Sequence, residues 1–243
     1  MKIEVFNSST PLYERAAELV ANEIKKKKTL NLGLAAGATP TPLYNRLSAL
    51  AKDKKLSFDG VTSFNLDEYV GQGLDSNASF ASYTYYGLAN RVGISKERFH
   101  FLNGAAPDAG AECARYDALI KSKGGIDLQI LGLGVNGHIA FNEPGSSPTE
   151  RTRVVKLSSE TVLRLDPKLF PKGKPSQGLT LGLANIMESK MIVLIAVGPQ
   201  KAQAVRDCFI SAPSPQFPAS VLQSHPNCFV LVDRDASKLS TTA

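Results

Sequence analysis

Asn136, His138 and Glu143 are proton-handling side chains within eight residues of one another, in the run Leu131-Gly-Leu-Gly-Val-Asn-Gly-His-Ile-Ala-Phe-Asn-Glu-Pro144. An imidazole titrates near neutral pH, so His138 can both give and take a proton. An amide and a carboxylate beside it can set its tautomer and orientation. Just upstream, Asp127-Leu-Gln-Ile-Leu131 reads as a buried strand, which glycines at 132, 134 and 137 then break. A buried strand ending in a glycine-rich turn is where an open α/β sheet places its ligand crevice. The competing reading is a histidine that satisfies backbone groups in a tight loop. The chain has three histidines, and His100 and His225 lie in no comparable setting.

Three other stretches carry candidate chemistry. Asp67 and Glu68 stand beside Tyr69 at the end of a strand-like run, residues 61–65. Neighbours on extended chain point in opposite directions, so one acid can face a crevice as a base while the other turns away. Capping of a helix or loop is the alternative. The turn Ala36-Gly-Ala-Thr-Pro40 joins a strand to a helix. Small residues let an anion approach the backbone, the helix start presents free N–H groups, and Thr39 and Thr41 add hydroxyls. Gly37, Ala38 and Thr39 are therefore candidate phosphate contacts, against the reading of a plain turn before a proline. The turn matches neither the Walker loop nor the G-x-G-x-x-G pattern. Gly198-Pro-Gln-Lys201 puts a lysine at a helix start, where the dipole disfavours a cation. A nearby anion would account for Lys201, as would exposure on a fraying turn.

Strand and helix signals alternate around these groups. Helices are predicted over 11–27, from 43, over 79–91, 108–121 (N-capped by Asp108), 158–165 and 199–209. Strands are predicted over 29–35, 61–65, 98–102, 127–131, 151–157, 190–197 and 228–232. Residues 166–177, rich in Pro, Lys and Gly, read as a mobile connection, and 178–186 as an apolar, glycine-interrupted stretch. The alternation implies a mostly parallel sheet covered by helices on both faces. The expected architecture is one doubly wound, Rossmann-like α/β domain over residues 1–243.

Composition narrows the function classes. Hydrophobic content of 43% and charged content of 21% are those of an ordinary globular chain. No stretch reaches the ~20 apolar residues that span a bilayer. Met1-Lys-Ile-Glu-Val-Phe6 lacks a signal-peptide layout, so a cytoplasmic location and no membrane partner are expected. Cys113, Cys208 and Cys228 are too few and scattered for a disulfide framework. No His, Cys and carboxylate set has metal-ligand spacing, so no metal is expected. The net charge of +6 suits anionic metabolites. Lys25 to Lys28 end a helix and complement its dipole. No basic patch is interleaved with aromatics, so no nucleic-acid partner is expected.

Gly37-Ala-Thr-Pro40, Phe64-Asn-Leu-Asp-Glu-Tyr69, Leu102-Asn-Gly104, Gly134-Val-Asn-Gly-His-Ile-Ala-Phe-Asn-Glu-Pro144, Arg151-Thr-Arg153 and Gly198-Pro-Gln-Lys-Ala202 follow one another in the order of a known family. Over about residues 30–232 the chain resembles the glucosamine-6-phosphate deaminases, also called glucosamine-6-phosphate isomerases. The resemblance implies conversion of glucosamine 6-phosphate and water to fructose 6-phosphate and ammonia, with no metal or organic cofactor. By motif position, Asp67 resembles the base that takes the C2 proton and returns it at C1. His138 resembles the acid/base that opens the sugar ring, with Asn136 and Glu143 orienting it. Lys201 and the Gly37–Thr39 turn resemble the phosphate site. Many family members carry Asp at the position of Asn136, and an amide can orient His138 but cannot stabilise an imidazolium by charge. The family also places an arginine for the phosphate in the segment after Arg151-Thr-Arg153. Here Thr161-Val-Leu-Arg-Leu-Asp-Pro-Lys168 offers Arg164 or Lys168, with Lys168 preferred, in a stretch (about 158–177) that resembles the family's lid. The chain resembles the shorter, unregulated members, which implies a monomer or small homo-oligomer. A 6-phosphogluconolactonase on the same fold and a non-catalytic sugar-phosphate sensor are the competing readings. The sensor usually accompanies a DNA-binding module, and the sequence has no helix-turn-helix to spare.

Overall fold

The computed structural model describes residues 1–171 and 173–238, with all their side chains except those of Glu160 and Arg164. The chain runs β1 (Lys2–Phe6), α1 (Ser9–Lys26), β2 (Leu30–Leu34), α2 (Thr41–Lys52), β3 (Val61–Asn65), β4 (Asp67–Tyr69), α3 (Phe80–Thr84), β5 (Phe99–His100) and α4 (Ala109–Ser122). It continues through β6 (Leu128–Gly132), β7 (Arg153–Lys156), α5 (Ser159–Arg164), β8 (Gln177–Thr180), α6 (Leu183–Met187), β9 (Met191–Ala196), α7 (Ala202–Phe209) and β10 (Cys228–Asp233).

Seven strands form one sheet in the order β1-β10-β9-β6-β2-β3-β5, and every pairing within it is parallel. Its centre is buried on both faces, which is why β9 reads as an unbroken apolar run rather than an alternating one. Successive residues still point to opposite faces. Val193 and Ile195 pack with Leu32 and Ile130 on one side, and Ile192 and Leu194 pack with Leu131 and Phe64 on the other. From β2 the chain moves outward to β3 and β5, whereas from β6 it moves the opposite way to β9 and β10. The gap between β2 and β6 is thus the switch point of the sheet, where open α/β folds take their ligands.

The doubly wound reading holds, with a correction beside it. A second, three-stranded antiparallel sheet, β4-β8-β7, stands apart from the main one. Asp67 belongs to this sheet, pairing with Thr180, rather than to the tail of β3. The apolar stretch 178–186 is therefore strand β8 followed by α6. Gly178 obscured it: a Cβ there would lie 2.7 Å from the Phe141 ring, so the strand needs a glycine where an aromatic crosses it. β1 is likewise a strand that the sequence reading passed over; it pairs with β10 at the sheet edge. The predicted helix over 79–91 is only briefly α-helical, continuing as a π-helical turn over Tyr85–Ala89 and a 3-10 turn over Asn90–Val92. Asp108 caps α4 as predicted, accepting from the Ala111 N–H at 2.9 Å.

Candidate active site

At the switch point lies a cavity of about 630 Å³. The turn after β2, the turn after β6, the start of β4, helix α5 and Lys201 all contribute to its wall. Gly37, Ala38, Thr39, Asp67, His138 and Lys201 line it, so residues far apart in sequence meet in one place.

The loop that carries His138 is closed on itself. Gly134 N–H donates to the His138 carbonyl at 2.8 Å, and Gly137 N–H donates to the Gly134 carbonyl at 3.1 Å. A Cβ on Gly134 would sit 2.4 Å from the imidazole, so the ring packs flat on backbone that only glycine leaves bare. The hydrogen bonds around the ring have forced directions. A carboxylate only accepts, so the Asn136 amide points its Nδ2 at Glu143 Oε2, at 2.8 Å. Asn136 Oδ1 is then turned towards His138 and accepts from Nδ1 at 2.7 Å and from its backbone N–H at 3.2 Å. His138 carries its proton on Nδ1, which leaves the Nε2 lone pair for chemistry. Glu143 Oε2 also lies 3.5 Å from His138 Nδ1. Burial works against the charge on Glu143. The hydrogen bond and charge of His138, with donors Asn136 and Thr161, outweigh it and hold the carboxyl at about 2.

Asp67 and Glu68 separate as extended backbone requires. Asp67 faces the cavity, where burial first and the Glu68 charge second push its carboxyl up to about 8. Glu68 points away and caps the helical segment that opens with α3. It accepts from the N–H groups of Tyr69, Phe80 and Ala81 at 2.9, 3.0 and 2.9 Å, and from Ser79 Oγ at 2.5 Å. Burial raises its carboxyl, against the pull of those donors. Of the alternatives offered for this acidic pair, the cap is taken by Glu68, and Asp67 is the member that faces the cavity.

Gly37 has φ +101°, a left-handed conformation that suits glycine, and it swings the chain from β2 into α2. Thr39 packs over Gly132, so the two turns meet: a Cβ on that glycine would be in ordinary contact with the threonine Cβ at 3.6 Å. Lys201 closes a 3-10 turn, Pro199–Lys201, ahead of α7. That turn is held where Gly198 N–H donates to Asp233 Oδ1 at 3.0 Å.

Lys168 is not brought to the cavity. It is exposed, on a 3-10 turn (Pro167–Leu169) that Asp166 caps by accepting from the Lys168 N–H at 2.9 Å. The side chain of Arg164 lies outside the described residues. From this segment Thr161 and Leu165 line the cavity instead. Thr161 Oγ1 donates to Glu143 Oε1 at 3.0 Å, and Ser158 Oγ reaches the same oxygen at 3.3 Å. The sequence shows Ser158 and Thr161 only as part of a predicted helix, 158–165, and of the lid-like stretch; Ser158 also caps that helix, its Oγ accepting from Thr161 N–H at 3.1 Å. The aromatic wall of Tyr69, Phe80 and Phe141 also escaped sequence reading, because β4, α3 and the His138 loop each contribute one ring. Arg151 and Arg153 belong to ion pairs, with Glu188 at 2.8 Å and Glu150 at 2.7 Å, and neither lines the cavity. Among the described residues, no helix is long and apolar enough to cross a membrane.

Comparison with known proteins places this arrangement in a family. Glucosamine-6-phosphate deaminase of Thermoanaerobacter pseudethanolicus (strain ATCC 33223 / 39E) is 38% identical over 241 residues, 98% of this chain and 95% of that protein. The deaminase of Alkaliphilus metalliredigens (strain QYMF) is 40% identical over 242 residues, 98% of this chain and 99% of that protein. The solved structure of a monomeric glucosamine-6-phosphate deaminase superposes with a TM-score of 0.93 at 40% identity, covering 98% of this chain and 100% of that one. A 6-phosphogluconolactonase from Thermotoga maritima shares the fold, with a TM-score of 0.76, 21% identity and coverage of 96% and 99%. Residues 7–230 match the family described as glucosamine-6-phosphate isomerases/6-phosphogluconolactonase, and the chain belongs to that family.

Proposed function

We propose that this protein converts glucosamine 6-phosphate and water to fructose 6-phosphate and ammonia, in amino-sugar catabolism. One observation carries the reading: a single cavity gathers a buried Asp67, an oriented His138, a strand–glycine–helix turn and Lys201. The phosphate binds the Gly37–Thr39 turn and Lys201. This anchors the far end of the sugar and leaves the C1–C2 end at the carboxylate. His138, with its Nε2 lone pair, moves the proton that opens the ring, and Asn136 and Glu143 keep the imidazole in that tautomer. Asp67 takes the proton from C2 and returns it to C1. The C1 oxygen gains the proton that the ammonium nitrogen gives up, C2 becomes an iminium carbon, water adds there, and the C–N bond breaks to release ammonia and leave the ketose.

The surroundings of Asp67 suit this task. A carboxyl held at about 8 is a far stronger base than an ordinary aspartate. The ammonium of the bound substrate, beside it, favours the ionised form that abstraction needs. Helix α5, with the turn that follows it, acts as the lid over residues 158–177. The protein works as a monomer or small homo-oligomer on a small phosphosugar. The test is release of ammonia and fructose 6-phosphate from glucosamine 6-phosphate by the purified chain with EDTA present. Absence of ammonia overturns the reading, and loss of turnover on chelation overturns its metal-free form.

A further inference from the structure

We propose that Tyr13, Tyr44 and Tyr83 are positioning residues for phosphate: together they take the carbonyl groups of the 35–39 turn and so aim its amides at the ligand. The proposal rests on the reading of this turn as the phosphate site. The three hydroxyls come from α1, α2 and α3 and bind every second carbonyl. Tyr44 donates to Ala35 at 2.6 Å, Tyr83 to Gly37 at 2.8 Å and Tyr13 to Thr39 at 2.8 Å. Thr41 Oγ1 lies 3.2 Å from the same Gly37 carbonyl, but each hydroxyl has one proton: with the Tyr83 proton on Gly37, Thr41 donates its own to the Tyr83 oxygen.

The pattern has a direct geometric consequence. In a trans peptide the C=O of one residue and the N–H of the next point in opposite directions. Fixing the Ala35 and Gly37 carbonyls towards the helices turns the Ala36 and Ala38 N–H groups the other way. Ala36 and Ala38 both line the cavity. No described residue accepts a hydrogen bond from either N–H. The third carbonyl, of Thr39, precedes Pro40, which has no N–H to aim. Its fixing removes a partial negative charge that would otherwise be free to turn towards an anion. Oriented amides of this kind bind anions without a formal positive charge. Tyr13 and Tyr44 are buried, which explains why each spends its hydroxyl on a backbone carbonyl, whereas Tyr83 is 39% exposed.

The test is a ³¹P NMR titration of the folded protein with inorganic phosphate, paired with steady-state kinetics on glucosamine 6-phosphate. Tyr83→Phe is the deciding variant, because its ring is partly exposed and removal of the hydroxyl spares the core. It is expected to weaken phosphate binding about fivefold, the equivalent of one hydrogen bond, and to raise KM by a similar factor while kcat stays within about twofold. Tyr13→Phe and Tyr44→Phe are expected to show the same split where they fold. An unchanged phosphate Kd in folded Tyr83→Phe overturns the proposal, as does a loss confined to kcat. A wild-type protein that binds no phosphate also overturns it. Failure of the wild type to release ammonia instead overturns the deaminase reading, and the phosphate titration still judges the role of the tyrosines.

Discussion

Asp67 and Glu143 belong to one site and live in opposite surroundings. Asp67 sits with Leu66, Tyr69 and Phe80 in the cavity wall, and the charge that acts on it is another carboxylate, Glu68. Glu143 receives Asn136, Thr161 and Ser158 on its two oxygens and has His138 beside it. Burial acts on both, yet it raises Asp67 to about 8 and is overruled at Glu143, which falls to about 2. The difference fits the roles proposed for them. A carboxyl that titrates within reach of neutral pH can carry a proton between carbons, whereas one fixed in the ionised form can only orient a neighbour. The two also have opposite effects on stability. The folded value of Asp67 lies above its unfolded value, so it weakens the fold progressively as pH rises from about 4 to about 8. The folded value of Glu143 lies below its unfolded value, so its stabilisation is complete above about 4.5 and is lost as pH falls towards 2.

The largest effect is expected at Asp67. Asp67→Asn should reduce turnover about a thousandfold or more while substrate still binds. It should also raise the melting temperature at pH 8 more than at pH 5, because the neutral amide escapes the penalty of burying charge. Parallel loss of binding in a calorimetric titration would make Asp67 structural. Glu143→Gln should lower kcat about a hundredfold, since an amide presents donors to donors around Glu143. Its loss in melting temperature should shrink as pH is lowered towards 2, and a pH-independent loss would contradict the ionised assignment. Lys201→Ala should raise KM about tenfold with little change in kcat, as expected for loss of a charged phosphate contact. An unchanged KM removes Lys201 from the site. Asn136→Asp should have the smallest effect, within about fivefold in kcat. It should shift the pH–rate profile, and an unshifted profile argues against its contact with His138.

Much of this site was legible because its parts obey local rules. The turn at Gly37, the glycine-broken run to Glu143 and the lysine after β9 each follow a parallel strand, and the sheet gathers such strand ends automatically. The split between Asp67 and Glu68 follows from the two-residue period of extended chain. The second sheet was not legible, because β4 is three residues long and β8 is crossed at Gly178 by a ring from elsewhere. Without that sheet, the burial of Asp67 had no visible cause. Lys168 is suggested by a cation's place in the segment that resembles the family's lid, and the exposure of its 3-10 turn is not visible in the sequence. The tyrosine hydroxyls on the 35–39 turn come from three helices, so their common target exists only in three dimensions.

The contrast between the two carboxyls can be measured without substrate. Protein labelled with ¹³C at the side-chain carboxyls of Asp and Glu, and assigned with Asp67→Asn and Glu143→Gln, reports each titration by NMR. Asp67 should titrate near 8 and Glu143 near 2 in the free enzyme. An Asp67 midpoint near the ordinary value for aspartate, about 4, would contradict its assignment as the base set up by burial.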